Sequence, residues 1–449
     1  MTTMTLPLAA AVSLGHALVA DVAEELHLPA LFIKGVVAVQ QGLRAEDYVP
    51  GDVDVLCAAD RAPELIDALA ARGWRRRPES SAHARFVTHS TALLHPDWPC
   101  DIDVHTRFPG FFADPDVVFE ALWEHRERHE VAGVELWGPD YPAHALIVLL
   151  HGLRTPTLAK NAGEVTSSTG RFAAMSDAER TATRDLIHRT GASEVVAAEL
   201  NPLGWQIEVP ARPSAQFARW KLNSGPTNTE GWLVAIAEAS GTTRLRLIYR
   251  AVLPSREDLL IDYPGLPDAA LPTARAYVQR LVRAAGLVPP AVRNVVRTQW
   301  ASRRTAIADP QPPGAAAVGD TAPSSPAPSS PAPGTPAMPS SPASTRVLEE
   351  PAPADPAPGA GGRWAVYLPE PAHAVDDEAF VLRLSGGGSS SPMRLNGVGL
   401  AILTLLDETG GDVDRAVQEA AAMWPQPTDE LRTVITGFQQ EMTRLGVLQ

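Results

Sequence analysis

Fifteen prolines fall between Pro310 and Pro358, interleaved with Ala, Ser and Gly, and the only large apolar residues there are Val318, Met338, Val347 and Leu348. Such a stretch cannot bury enough apolar surface to offset the entropy of ordering it, so residues 306–362 are expected to form a disordered linker of polyproline character. About fifty residues of this kind span roughly 40 Å as a coil and on the order of 150 Å fully extended. The segments on either side are therefore expected to be tethered rather than rigidly docked.

Of the 449 residues, 45% are hydrophobic and 20% charged, an ordinary globular balance. The formal net charge of -14 disfavours bulk nucleic-acid binding, though not a nucleotide held by a few basic groups. Two cysteines, Cys57 and Cys100, make no disulfide framework; buried, inert thiols in a reducing cytoplasm are expected. No membrane segment is expected. The Ala/Leu/Val-rich stretch Leu6–Leu28 lacks a basic start and contains Asp21, Glu24 and Glu25. Its apolar residues Leu14, Leu18, Val22 and Leu26 recur every four, which reads as an amphipathic helix and not an export signal.

The fold class is α+β. Residues 1–110 alternate helix and strand. Helices are expected over Leu6–Leu28, Val36–Gln41 and Ala62–Arg72, the last stopped by Gly73. Strands are expected over Ala30–Ile33, Val53–Cys57, Arg85–Thr88, Ala92–His95 and Ile102–Arg107. Residues 111–305 read as a helical extension, with its clearest helices over Val117–His125, Ala143–Leu153, Asp177–His188 and Ala274–Ala284. Residues 363–449 form a small module. Its strands are expected over Phe380–Leu384 and Met393–Leu395, around a turn at Gly386–Ser391, and its helices over Gly397–Leu406, Asp414–Met423 and Glu430–Leu445. In these helices Leu400, Leu403 and Leu406, then Ala416, Ala420 and Met423, then Val434, Phe438, Met442 and Leu445 read as buried faces.

Chemistry concentrates in three places. Leu31-Phe32-Ile33 runs into Lys34-Gly35, a glycine at a strand-to-helix turn, where backbone and helix N-terminus can approach an anion. Asp52 and Asp54 are two apart on a strand and share one face, with Val53 and Val55 on the other. Asp101, Asp103 and His105 repeat that pattern. Carboxylates converging on one face repel unless a cation lies between them, and Mg2+ suits oxygen ligands shared with phosphates. Asp52, Asp54 and Asp103 are the candidate catalytic and metal residues, with Asp101 and His105 in support. Lys34, Gly35 and Arg44 are the candidate nucleotide-binding residues. Arg44 reads either as a phosphate clamp or as a surface residue; His105 reads as an orienting residue, with general base or metal ligand as alternatives. His83, His89 and His95, six apart, are not expected to form a zinc site, because a turn near Ser90–Thr91 breaks the line. Trp74, Trp98, Trp123 and Trp137 are expected in the core.

The run Phe32-Ile33-Lys34-Gly35, then Arg44, Gly51-Asp52-Val53-Asp54-Val55-Leu56 and Asp101-Ile102-Asp103-Val104-His105, resembles an uncharacterised bacterial nucleotidyltransferase family of the polymerase-beta-like superfamily. Tyr141–Arg154, Leu253-Pro254-Ser255, Tyr263-Pro264-Gly265 and the helix through Leu281 carry the resemblance over residues 10–305. It implies a nucleotidyltransferase-like mixed sheet, Asp52 and Asp54 as the metal pair, Asp103 as third acid, and a nucleoside triphosphate substrate. Lys34-Gly35 stands where better-known members have Gly-Ser, so the usual phosphate-binding serine is replaced by a point charge.

Strands followed by three helices make residues 363–449 winged-helix-like, but their arginines do not cluster on one helix, which argues against DNA. Met393-Arg394-Leu395-Asn396-Gly397, the three helical segments and terminal Gly446-Val447-Leu448 resemble the PqqD-like family. That resemblance implies recognition of the leader of a ribosomally synthesised peptide by strand addition, with Met393, Arg394, Leu395, Phe438 and Met442 as the peptide-binding residues. Three functions follow as expectations. The first is a nucleotidyltransferase-like enzyme in peptide modification, alongside other peptide-modifying enzymes. The second is a catalytically degenerate leader-peptide escort. The third is a transferase acting on a small molecule or a protein.

Overall fold

The computed structural model describes residues 6–78, 89–156, 158–224, 229–252, 259, 266–267, 269–307, 363–369, 378–384 and 391–444. The expected strand Arg85–Thr88, His83, the Leu253–Gly265 motifs, the 308–362 part of the linker, the Gly386–Ser390 turn and Leu445–Leu448 lie outside the described residues.

The first 110 residues run α1 (Leu8–Glu25), β1 (Ala30–Phe32), α2 (Gly35–Gln40), β2 (Asp52–Cys57), α3 (Ala62–Ala71), β3 (Arg75–Arg76), β4 (Ser90–Leu94) and β5 (Asp101–His105). The strands form one mixed sheet in the order β1-β2-β5-β4-β3. Within it β2 and β5 are parallel, with Asp52 opposite Asp101, Asp54 opposite Asp103 and Leu56 opposite His105; the other pairs are antiparallel. Strict alternation places Val53, Val55, Ile102 and Val104 in the core on one face and every aspartate of the two strands on the other.

Next come α4 (Pro115–Glu124), a hairpin of β6 (Arg126–Val131) and β7 (Val134–Pro139), and then α5 (Tyr141–Leu153), α6 (Ala159–Ala174), α7 (Asp177–Arg189) and α8 (Ser193–Leu200). Helices α9 (Ala215–Asn223), α10 (Thr229–Glu238), α11 (Gly241–Val252) and α12 (Ala270–Ile307) complete this half. The helical extension is thus interrupted by a hairpin, which the charged stretch Arg126–Glu130 conceals. Helix α5 is buried almost throughout and carries a second core against Leu31, Ile33 and Leu56. Trp74 and Trp98 are buried, and Trp123 and Trp137 pack against the second core.

The C-terminal module contains β8 (Trp364–Tyr367), β9 (Glu378–Arg383), β10 (Met393–Asn396), α13 (Gly397–Glu408), α14 (Val413–Met423) and α15 (Thr428–Arg444). Its sheet is antiparallel in the order β10-β9-β8, so β10 is an edge strand. Two expected core residues are exposed: Met423 at 57% and Val434 at 54%. Met423 is the last residue of its helix. Val434 falls one residue short of the buried Ile435, and one residue is a turn of about 100° around the helix.

Two expectations are corrected by one feature. Helix α1 is buried on every side from Ala10 to Ala23, not on a single stripe. One side lies on the mixed sheet, where a Cβ at Gly15 would come within 2.9 Å of Val53, so the close approach requires glycine. The C-terminal module covers another side: Ala365, Phe380, Leu382 and Leu384 share a single core with the α1 residues. The Val366 N–H donates to the Ala132 carbonyl (2.9 Å), and Arg363 pairs with Asp21 (3.3 Å) and Glu24. The module is therefore docked and not merely tethered. Burying Phe380 and Leu382 contributes about 1.5–3 kcal/mol each, which offsets much of the linker's cost. Among the described residues no helix is long and apolar enough to cross a membrane.

Candidate active site

A cleft of about 360 Å3 opens on the aspartate face of β2 and β5, lined by Lys34, Gly35, Arg44, Tyr48, Pro50, Gly51, Asp52, Asp54, Asp101, His151 and Lys160. The in-register pairing explains its floor. Asp54 and Asp103 point the same way from adjacent parallel strands, and ligand atoms of Asp54, Asp103 and His105 lie within 4.8 Å of one another. Asp54 is buried (2% exposed), yet its Oδ1 accepts from the Lys34 ammonium at 2.6 Å and from His105 Nε2 at 2.7 Å. Burial alone would raise its pKa; the Lys34 charge and the His105 hydrogen bond outweigh it and hold Asp54 well below the usual carboxylate range. Its neighbours shift the other way. Burial first, then the Asp54 charge, push Asp52 up to about 6, and burial raises Asp103 as well. Asp101 is paired with Arg77 at the rim.

Lys34 is held by its backbone. Its φ of 61° and ψ of -141° lie in a region that costs a side-chain-bearing residue on the order of 1–3 kcal/mol. Its N–H donates to His144 Nε2 at 2.7 Å, and His144 Nδ1–H donates in turn to Gln41 Oε1 at 2.5 Å. The Gln41 amide is anchored on Glu127 Oε1 (2.7 Å) and the Pro139 carbonyl (2.8 Å). Acceptance at Nε2 requires a neutral imidazole, and burial, helped by nearby positive charge, lowers the His144 pKa to about 3. The expected helix behind the turn, α2, has only six residues, so its dipole is short and the Lys34 ammonium is the stronger cationic feature. Gly35 adopts φ 50°, and a Cβ there would meet His16 Nε2 at 3.2 Å. His16 is wholly buried; Nδ1 donates to the Val12 carbonyl at 2.8 Å, leaving Nε2 a lone pair with no partner among the described residues.

Basic residues line the same cleft. Arg44 pairs with Glu164 and stacks on Tyr48 at 4.7 Å, Lys160 lies 5.4 Å from the same ring, and His151 Nδ1 is 2.7 Å from Glu164. Arg44 is thus a cleft residue, only 10% exposed. His89 meets Arg154 and the His105 ring, and His95 meets Trp74. Cys57 and Cys100 are buried thiols pushed up to about 12, chiefly by burial.

The sequence reading missed Gln41, His144, His151, Lys160, Glu164 and His16. A signal existed for two of them: His144 and His151 stand seven apart, on one face of an otherwise apolar helix. In the C-terminal module Leu395 and Met442 are buried inside the fold, while Met393, Arg394 and Phe438 remain partly or fully accessible around β10 and α15. Arg394 pairs across the strands with Glu378 at 2.9 Å. No family model matches the chain, and no curated protein matches it.

Proposed function

We propose that the cleft is the active site of a metal-dependent nucleotidyltransferase-like enzyme of the polymerase-beta-like type, working in modification of a ribosomally synthesised peptide. The observation that carries this is the parallel, in-register pairing of β2 and β5, which gathers Asp52, Asp54 and Asp103 on one face, beside a cleft that Lys34, Arg44 and Lys160 line. The donor set fits a divalent cation: carboxylate oxygens with one imidazole, buried and mutually close. Magnesium, when bound, neutralises phosphate charge and aligns an in-line displacement. Asp54, Asp103 and His105 would hold the cation, and Asp52, which shares their strand face without joining that cluster, would complete the acidic set; His105 also orients Asp54. Lys34, Arg44 and Lys160 bind phosphate oxygens, and Glu164 keeps Arg44 and His151 in place. Asp103, on the strand beside Asp54, would accept the proton of the attacking hydroxyl. The PqqD-like reading assigns leader binding to the open β10 edge, where an added strand would meet Met393, Arg394 and Phe438.

A second reading, the inactive escort, is favoured by one observation: Asp54 Oδ1 already accepts from two donors. Pyrophosphate release from the four common nucleoside triphosphates, with Mg2+ and peptides encoded beside this gene, separates the two. Turnover that disappears in Asp54→Asn supports the enzyme; its absence in folded wild type with every peptide supports the escort.

A further inference from the structure

The Lys34 ammonium lies 2.6 Å from Asp54 Oδ1, one of the two oxygens through which this carboxylate would hold a divalent cation, and His105 hydrogen-bonds the same oxygen. Lys34's backbone cannot yield, because its N–H is fixed by the buried His144 and its dihedrals by the turn. Only the side chain is free to swing. The space it can swing into is the cleft, which Arg44 and Lys160 also line. With the cleft holding no anion, moving a third cation toward those two is unfavourable. With a phosphate group between them, the same move becomes favourable. Next to Lys34, Gly35 lines the cleft with no side chain, and the wholly buried His16 lies close behind it, so the turn keeps the backbone open to a ligand.

We infer that Lys34 is a built-in counter-cation at Asp54, so that a divalent metal enters this site only together with a phosphate-bearing ligand that draws Lys34 away. The inference rests on the metal–nucleotide reading of the cleft and adds to it an order of binding. It also gives the Lys-Gly turn a purpose beyond replacing a serine: Lys34 keeps a buried carboxylate neutralised between turnovers and then becomes a phosphate ligand.

The test is calorimetric titration of the full chain with Mn2+ alone, and with Mn2+ plus inorganic pyrophosphate, in wild type, Lys34→Met and Lys34→Gly. Glycine suits the positive φ, so Lys34→Gly removes the ammonium while relieving the backbone, and circular dichroism confirms that both variants are folded. Wild type should bind Mn2+ alone at least tenfold more weakly than either variant, and pyrophosphate should strengthen Mn2+ binding at least tenfold in wild type and far less in the variants. Equal Mn2+ affinity in all three proteins overturns the inference. If the exchange is seen with pyrophosphate but no nucleoside triphosphate binds, the exchange stands and the nucleotidyl reading falls. If triphosphates bind with Mn2+ and the variants match wild type, the reading stands and the exchange falls.

Discussion

The mixed sheet and the C-terminal sheet solve the same problem, two faces to cover, in opposite ways. On β2 and β5 one face is packed under α1 while the other buries ionisable groups and pairs them: Asp54 with Lys34 and His105, and the Lys34 backbone with His144 and then Gln41. The three-stranded sheet sets one face on α1 through Phe380 and Leu382, packs Val381 and Leu395 against α13 on the other, and has β10 as an edge strand that, among the described residues, pairs only with β9 and carries the Arg394–Glu378 ion pair. Burying charge is costly and rarely stabilises a fold better than apolar packing would. Its concentration on the first sheet is what the proposed active site rests on. The second sheet has no such cluster among the described residues; its edge strand β10 is where the proposed leader binding would take place.

Four perturbations test that contrast. The largest effect should come from Asp54→Asn, which removes the charge facing Lys34 and His105. Turnover should fall by at least about 10^3-fold, and urea melts should show a loss of about 3 kcal/mol because a buried cation is left uncompensated. Phe380→Ala should cost about 3–4 kcal/mol of apolar packing and leave the cleft chemistry intact. The loss should appear in a single melting transition shared by both modules; two separate transitions would break the claim of a common core.

Asp21, beneath Arg363 and Arg72, sharpens the comparison through pH. Burial and Glu25 push its carboxyl up to about 6, with the two arginines opposing. The folded state therefore holds a proton that the unfolded chain releases near pH 4. The resulting stabilisation, about 2 kcal/mol, is full below that pH and is lost as pH rises through about 6. Relative to Asp21→Asn, wild type should lose stability across this window in pH-resolved urea melts; a difference that does not change with pH would refute the assignment. The smallest effect is expected from Gly35→Ala. With φ at 50° and His16 Nε2 3.2 Å from the new carbon, it should cost about 1–2 kcal/mol in melts and weaken nucleotide affinity by several-fold.

Legibility followed period and contiguity. The Asp/Val alternation at Asp52–Val55 and Asp101–Val104 declared both strands and which residues share a face, because a strand repeats every two residues. The hairpin β6–β7 was hidden: Arg126–Glu130 carries no apolar alternation, and its turn opens with Ala132 at φ 53° before Gly133 at φ 77°, a less familiar signal than Asn-Gly. Strand β8 was masked by the proline-rich stretch immediately before it. The apolar spacing of α1 gave one stripe, but its alanine-rich flanks fit a helix buried on all sides, and only the docked C-terminal sheet reveals why. The acids of the cleft came from two short motifs and were readable. Its supports, Gln41, His144, Lys160 and Glu164, come from distant elements, and no local pattern links them to Asp54.

The central claim is that the aspartate face of β2 and β5 binds a metal–nucleotide complex. Titration calorimetry of the full chain with each of the four common nucleoside triphosphates in excess Mg2+ tests it most directly, run in parallel on wild type and Asp54→Asn with circular dichroism to verify folding. Saturable binding of at least one triphosphate by wild type, stronger than about 1 mM, or -4 kcal/mol, and lost in Asp54→Asn, is the predicted result. A folded wild type that binds none of the four, or an Asp54→Asn variant that binds as wild type does, would contradict it.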